Sequence, residues 1–162
     1  MTRRYLNQGY TFIEASLVMA VLAILMTLST VSLLGVQEQS FVHKSFELLL
    51  SDMKLQQAYA MSGRQNNAGV QSASGVYFGT DSYTLFDGDT YLADAPENFT
   101  TTLENGLEFG SIAGKSIVFA KGSGEIVNYS ESLETIDITR SDKTNPAIIQ
   151  INELGVITNI QP

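Results

Sequence analysis

The chain has 162 residues, of which 44% are hydrophobic and 16% charged, and its formal net charge is −8. This composition supports a folded core and excludes an intrinsically disordered acidic chain, and the excess of acidic residues argues against a general nucleic-acid binder. Because cysteine is absent, disulfide bonds, thiolate nucleophiles and cysteine-ligated zinc are excluded.

The first feature along the chain is an apolar segment over residues 15–36, which contains no charged residue. About 20 apolar residues in a helix span a hydrocarbon layer of roughly 30 Å, whereas the apolar region of a secretory signal has only about 7–15. The segment therefore predicts a membrane-spanning helix. Arg3 and Arg4 precede it and place the N-terminus in the cytoplasm. The predicted localisation is a single-pass cytoplasmic (inner) membrane protein with its C-terminal head outside.

A single carboxylate stands immediately before this segment, in the sequence Gly9-Tyr10-Thr11-Phe12-Ile13-Glu14. An ionisable group at the edge of a bilayer core is costly, so Glu14 predicts a functional role with a partner still to be named.

The junction resembles the class III signal of type IV pilins and of the pseudopilins of type II secretion and competence systems. The resemblance implies that a prepilin peptidase cuts between Gly9 and Tyr10 and methylates Tyr10, and that Glu14 pairs with the terminal amine of a neighbouring subunit during filament assembly. Residues 1–9 would be a leader peptide, 10–36 the transmembrane or filament-core helix, and 37–162 an extracytoplasmic head domain.

Helical periodicity continues beyond the apolar segment to about Arg64, with an apolar stripe at Phe46, Leu49, Leu50, Met53 and Ala60. Such a stripe should pack on a sheet. Gly63 and the Asn-rich residues 66–69 are predicted to end the helix.

From residue 70 onward the pattern is of short strands between turns. Hairpins are predicted from residues 75–79 with 82–86, 116–120 with 125–129, and 147–151 with 156–160, and a further strand over 133–139. The predicted fold is α+β and pilin-like, a long N-terminal helix with a membrane-spanning first half, packed on an antiparallel β-sheet head domain. This order of elements resembles the H-type pseudopilins of general secretion, minor pilins and competence pseudopilins.

No catalytic or metal-binding constellation is convincing. His43 is the only histidine and is expected to be a solvated helical residue, so the chain is not expected to be an enzyme. Asp87 and Asp89, with Asp81 and Asp94 nearby, could gather oxygens around Ca²⁺, but they lack EF-hand spacing and are better explained as a solvated turn. No cofactor or metal is predicted.

The resulting functional prediction is a minor pilin or pseudopilin. Its implied partners are the prepilin peptidase, other major and minor pilins or pseudopilins, the inner-membrane platform protein and the membrane itself. The absence of a proline within residues 15–36 leans away from a major pilin. The alternative is a competence pseudopilin or tip pilin that contributes to DNA uptake or binds a surface ligand. For that alternative Lys115, Lys121, Arg140 and Lys143 could form a small basic patch, but acidic residues are interleaved with them in the sequence.

Overall fold

The structure is a computed structural model that describes residues 11–65, 69, 71–104, 106–127, 129–140 and 146–161; within 28–41 only the helical backbone is described. One helix, α1, spans Phe12–Ser62. The strands that follow are β1 (Ser74–Phe78), β2 (Ser82–Asp87), β3 (Phe99–Thr102), β4 (Leu107–Phe109), β5 (Ser116–Phe119), β6 (Thr135–Arg140), β7 (Ala147–Ile151) and β8 (Ile157–Gln161), with a 3₁₀ turn at Glu131–Leu133 before β6.

The strands form two four-stranded antiparallel sheets, ordered β3-β2-β1-β5 and β4-β6-β7-β8. The predicted hairpins β1–β2 and β7–β8 are confirmed, as is the strand β6. The predicted strand over 125–129 is wrong, because the described residues there form no strand but an isolated bridge of Ile126 with Phe119. The head domain was predicted as a helix on an antiparallel sheet, whereas the strands form two sheets. The sequence pattern did not indicate β3 and β4, and each of them is an outer strand of one sheet.

The prediction that the first half of the helix spans a membrane also requires correction. Among the residues that the structure describes, no helix is sufficiently long and apolar to cross a membrane. A helical crossing needs about 20 consecutive apolar residues. The membrane-spanning first half of the predicted fold, the transmembrane assignment of residues 15–36 and the single-pass membrane localisation are therefore wrong.

The chain divides into two compact units, Met1–Gln39 and Ser40–Pro162. In the second unit, α1 ends in a Schellman motif. The Gly63 N–H donates to the Ala60 carbonyl at 3.3 Å, and the Arg64 N–H donates to the Tyr59 carbonyl at 3.1 Å. Gly63 has a φ of 69°, the left-handed conformation that this helix end requires and that glycine adopts without steric cost. The predicted end of the helix is thus confirmed, two residues earlier than expected.

The core of the second unit lies between the apolar stripe of α1 and strands of both sheets. Phe46, Leu49, Met53 and Ala60 are buried and Leu50 packs against them, which confirms the predicted stripe. From the sheets, the fully buried side chains include Val76, Phe78, Tyr83, Ile117, Phe119, Ile136, Ile138, Ile149 and Ile151. A smaller cluster of Ala73, Phe86 and Val118, with Tyr77 and Tyr91 packed against it, lies apart from this core.

Candidate assembly site

The N-terminus of α1 is fixed by a hydrogen-bonded cap. The Glu14 N–H donates to the Thr11 carbonyl at 3.1 Å and lies 3.4 Å from Thr11 Oγ1. The Thr-x-x-Glu spacing is that of a capping box, in which the threonine side chain accepts from an N–H of the first turn. The Glu14 carboxylate is in that first turn, where the positive end of the helix dipole favours negative charge. The predicted processing residues Gly9 and Tyr10 lie outside the described residues.

The segment that follows the cap exposes apolar side chains on every side of the helix. At 100° per residue, Phe12, Leu17 and Val18 point in well-separated directions, yet they are 91%, 65% and 50% exposed. The other large exposed side chains of this segment are Ile13, Met19, Val21, Leu22, Ile24, Leu25 and Met26. A helix that is apolar all round is typically one that is covered on all sides.

The polar side chains within this segment are satisfied by the helix itself. The Ser16 hydroxyl donates to the Ile13 carbonyl at 2.9 Å, and the Thr27 hydroxyl donates to the Ile24 carbonyl at 2.7 Å. Because these hydroxyls bond to carbonyls of the preceding turn, they can enter an apolar environment without an external partner.

Glu14 is therefore the exceptional group of the segment. It is the only charged residue between Thr11 and Thr27, it is exposed, and no hydrogen bond or ion pair joins its carboxylate to the described part of the chain. The segment is thus an apolar helix with one carboxylate in its first turn. That carboxylate can accept hydrogen bonds from a cationic group of another molecule.

The other residues singled out in the sequence form no metal-binding group among the described residues. His43 is exposed on α1, and among the described residues no group of three or more His, Asp or Glu side chains is placed to hold a metal ion. In the second unit the Lys115 ammonium donates to the Ser132 carbonyl at 3.1 Å. Lys143 of the predicted basic patch lies outside the described residues.

Sequence reasoning missed the polar contacts that hold α1 to the rest of the second unit. Asp52 accepts a hydrogen bond from Tyr83, and Gln57 Nε2 donates to the carbonyls of Gly124 and Leu154. Lys44 forms an ion pair with Glu104 at 2.7 Å. Each contact joins residues more than 30 positions apart in the chain, and no local pattern marks such pairs.

No protein-family model, characterised protein or solved structure matches this chain. The features that bear on function are accordingly its own. They are the exposed apolar surface of residues 12–27, to which the name apolar segment is restricted from here on, and the Glu14 carboxylate, which has no partner among the described residues.

Proposed function

We propose that this protein is a structural subunit of a pilin-like filament, a minor pilin or pseudopilin that assembles through the apolar segment of α1. The observation that carries the proposal is the exposure of large apolar side chains on all sides of that segment. Fully burying one such side chain contributes about 1.5–3 kcal/mol, so covering the segment strongly favours association.

The distribution of the exposed side chains favours one mode of association over another. A groove on a partner protein covers one stripe of a helix, as in helix-in-groove recognition. A bundle of helices covers every side. The exposed side chains of Phe12, Leu17 and Val18 require such cover, since they lie on different sides of α1. Neighbouring helices of the same kind in a filament core would supply such a bundle.

The lone carboxylate gives this packing a defined axial position. Within a bundle of apolar helices, Glu14 loses solvent and needs a cationic partner, since an unpaired buried charge is strongly destabilising. The resemblance of residues 9–14 to a prepilin signal supplies the partner. Cleavage between Gly9 and Tyr10 would create an amine, and an amine of a neighbouring subunit can pair with the Glu14 carboxylate.

The proposal is tested by co-expressing the full chain with a prepilin peptidase and a major pilin-like subunit, and then purifying sheared filaments. Mass spectrometry should show a chain shortened by the nine residues of the leader, with a methylated Tyr10. The Glu14→Ala variant should be cleaved normally but incorporated into filaments less efficiently. The matched control is Glu47→Ala, since Glu47 is an exposed glutamate of the same helix.

Two outcomes contradict the proposal. Absence of the wild-type chain from filaments that otherwise form would exclude a filament subunit. Equal incorporation of Glu14→Ala and Glu47→Ala would remove the assembly role of Glu14.

A further inference from the structure

A small cavity lies in the second unit between α1 and the outer strands of the first sheet. Its volume is about 30 Å³, and its lining includes Ser45 and Leu48 of α1, Tyr83 of β2 and Thr101 of β3. One water molecule needs a cavity of about 10–15 Å³. The cavity therefore has room for one or two water molecules and excludes any larger ligand.

The helix and the sheet direct hydroxyl-bearing side chains toward this cavity. Tyr83 pairs with Thr101 in the β2–β3 register, so both side chains lie on one face of the sheet. That face is the one packed on α1, since Tyr83 donates its hydrogen bond to Asp52. Ser45 precedes Asp52 by seven residues, about two turns, and so lies on the same side of the helix.

The Ser45 hydroxyl is buried without a protein partner. Ser45 is only 7% exposed, and its hydroxyl forms no hydrogen bond within the part of the chain that the structure describes. Serine and threonine in helices can bond to a carbonyl of the preceding turn, as Ser16 and Thr27 do here. Because a buried hydroxyl needs a hydrogen-bond partner, Ser45 requires one that lies in the cavity.

The other hydroxyls of the cavity define the hydrogen bonds that a ligand must make. The Tyr83 proton is committed to Asp52 Oδ2 at 2.6 Å, so the Tyr83 oxygen can only accept from a further group. The hydroxyls of Ser45 and Thr101 can both donate and accept. A suitable ligand must therefore be able to donate and accept at the same time, as water does.

The charges beside the cavity select a neutral ligand. Lys44 and Glu104 also line it, and their side chains form an ion pair at 2.7 Å. A bound cation would be repelled by the Lys44 ammonium, and a bound anion by the Glu104 carboxylate. Small buried cavities that carry polar groups are the ones that hold ordered water, whereas apolar cavities stay dry.

We propose that this cavity binds an ordered water molecule that bridges Ser45 of α1 to Tyr83 of β2. The water donates to the Tyr83 oxygen and bonds to the Ser45 hydroxyl, and the Thr101 hydroxyl is its third partner. It thereby extends the contact between Asp52 and Tyr83 into a network that joins the helix to two strands. All these residues belong to the second unit, so the water site is independent of the proposed filament function.

Oxygen-17 relaxation dispersion of the solvent tests the site, because it detects long-lived internal water and is insensitive to the exchange of hydroxyl protons. The full chain is measured in a mild detergent that covers its apolar segment. Ser45→Val fills the cavity and removes the hydroxyl, so its dispersion amplitude should fall by the contribution of one water molecule. The matched control is Ser51→Val, at an exposed position of the same helix, which should keep the wild-type amplitude.

Two results of this measurement would overturn the proposal. One is an equal amplitude in the wild type and in a folded Ser45→Val variant. The other is an equal loss of amplitude in Ser51→Val, which would show that the lost water does not lie beside Ser45.

Smaller substitutions test the same water by stability and do not depend on the folding of Ser45→Val. Ser45→Ala and Thr101→Val should each lower the equilibrium constant for folding about fivefold in urea denaturation, the effect of one neutral hydrogen bond. The double variant should lower it by clearly less than the product of about 25-fold, because both changes disrupt the same water. Ser51→Ala combined with Thr101→Val should instead give the full product of its single effects. Independent, multiplicative effects of Ser45→Ala and Thr101→Val would reject a shared bridging water.

Discussion

The Tyr83 hydroxyl in β2 donates a hydrogen bond to Asp52 Oδ2 in α1 at 2.6 Å. Tyr83 is fully buried. Its burial, followed by the hydrogen bond to Asp52, raises the pKa of its hydroxyl well above the usual value, against a smaller lowering by a hydrogen bond with Thr101. The pair fixes the position of α1 on the first sheet, because the tyrosine must remain neutral and must keep its acceptor.

Replacement of Tyr83 by phenylalanine removes this hydrogen bond while keeping the aromatic ring. We expect Tyr83→Phe to lower the free energy of unfolding by about 1.5 kcal/mol, as for a hydrogen bond to a charged group that is only partly buried. Urea denaturation measures the change. The control is Tyr77→Phe, which keeps the ring stacked on Tyr91. If both variants lose the same stability, the hydrogen bond to Asp52 has no special role.

The raised pKa of Tyr83 also predicts how stability responds to alkaline pH. An unfolded tyrosine ionises near pH 10, whereas the folded hydroxyl resists ionisation to higher pH. The stabilising contribution of neutral Tyr83 is therefore complete below about pH 10 and is lost as the pH rises above it. The free energy of unfolding should fall more steeply between about pH 10 and 11.5 in the wild type than in Tyr83→Phe. Parallel pH profiles for the two proteins would contradict this assignment.

Gln57 joins α1 to two turns at once, since its Nε2 donates to the carbonyls of Gly124 and Leu154 at 2.9 Å each. We expect Gln57→Ala to lower the free energy of unfolding by about 1–2 kcal/mol, because each neutral hydrogen bond contributes about 0.5–1.5 kcal/mol. Thermal denaturation followed by circular dichroism measures the loss. Lys54→Ala, at an exposed position of the same helix, should change stability little. A similar loss in both variants would contradict the role given to the two Gln57 hydrogen bonds.

Gly110 allows the Asp137 carboxylate to approach the backbone. That carboxylate accepts hydrogen bonds from the Ser111 N–H at 2.8 Å and from the Ser111 hydroxyl at 2.7 Å. A Cβ on residue 110 would overlap Oδ2 of this carboxylate, and moving the carboxylate away would disturb the two bonds that its Oδ1 accepts. We expect Gly110→Ala to cost about 1–3 kcal/mol, measured by urea denaturation. Ser111→Ala loses only the hydroxyl contact and should cost less; the reverse order would contradict the steric explanation.

The parts of the fold that the sequence predicts are those with a strong local signal. The α1 stripe from Phe46 to Ala60 follows helical periodicity, and the β7–β8 hairpin follows from apolar runs around Gly155, whose φ is 72°. Strand β3 lacks such a signal, because three consecutive threonines show no alternation of apolar and polar residues. Its place depends on pairing with β2, which is a tertiary effect.

The candidate site, too, could be predicted from the sequence only in part. Thr11 and Glu14 have the spacing of a helix cap as well as that of the prepilin signal, and the structure shows the cap. Composition over residues 15–36 predicts that the segment is covered, but it does not distinguish lipid from neighbouring helices, since both surroundings select apolar side chains. The Asp52–Tyr83 pair could not be found from sequence, because its 31-residue separation becomes a contact only after α1 packs on the sheet.

The contact between Gln57 and the turn at Leu154 spans 97 residues of chain, and this separation determines when the second unit can fold. The core that begins with Phe46 and Leu49 is completed by Ala147, Ile149 and Ile151, which are synthesised long after α1. Contacts of such long range form slowly because the chain must first close a large loop. The newly made helix therefore emerges with its apolar stripe uncovered, and the second unit completes its folding only when β7 and β8 have been synthesised.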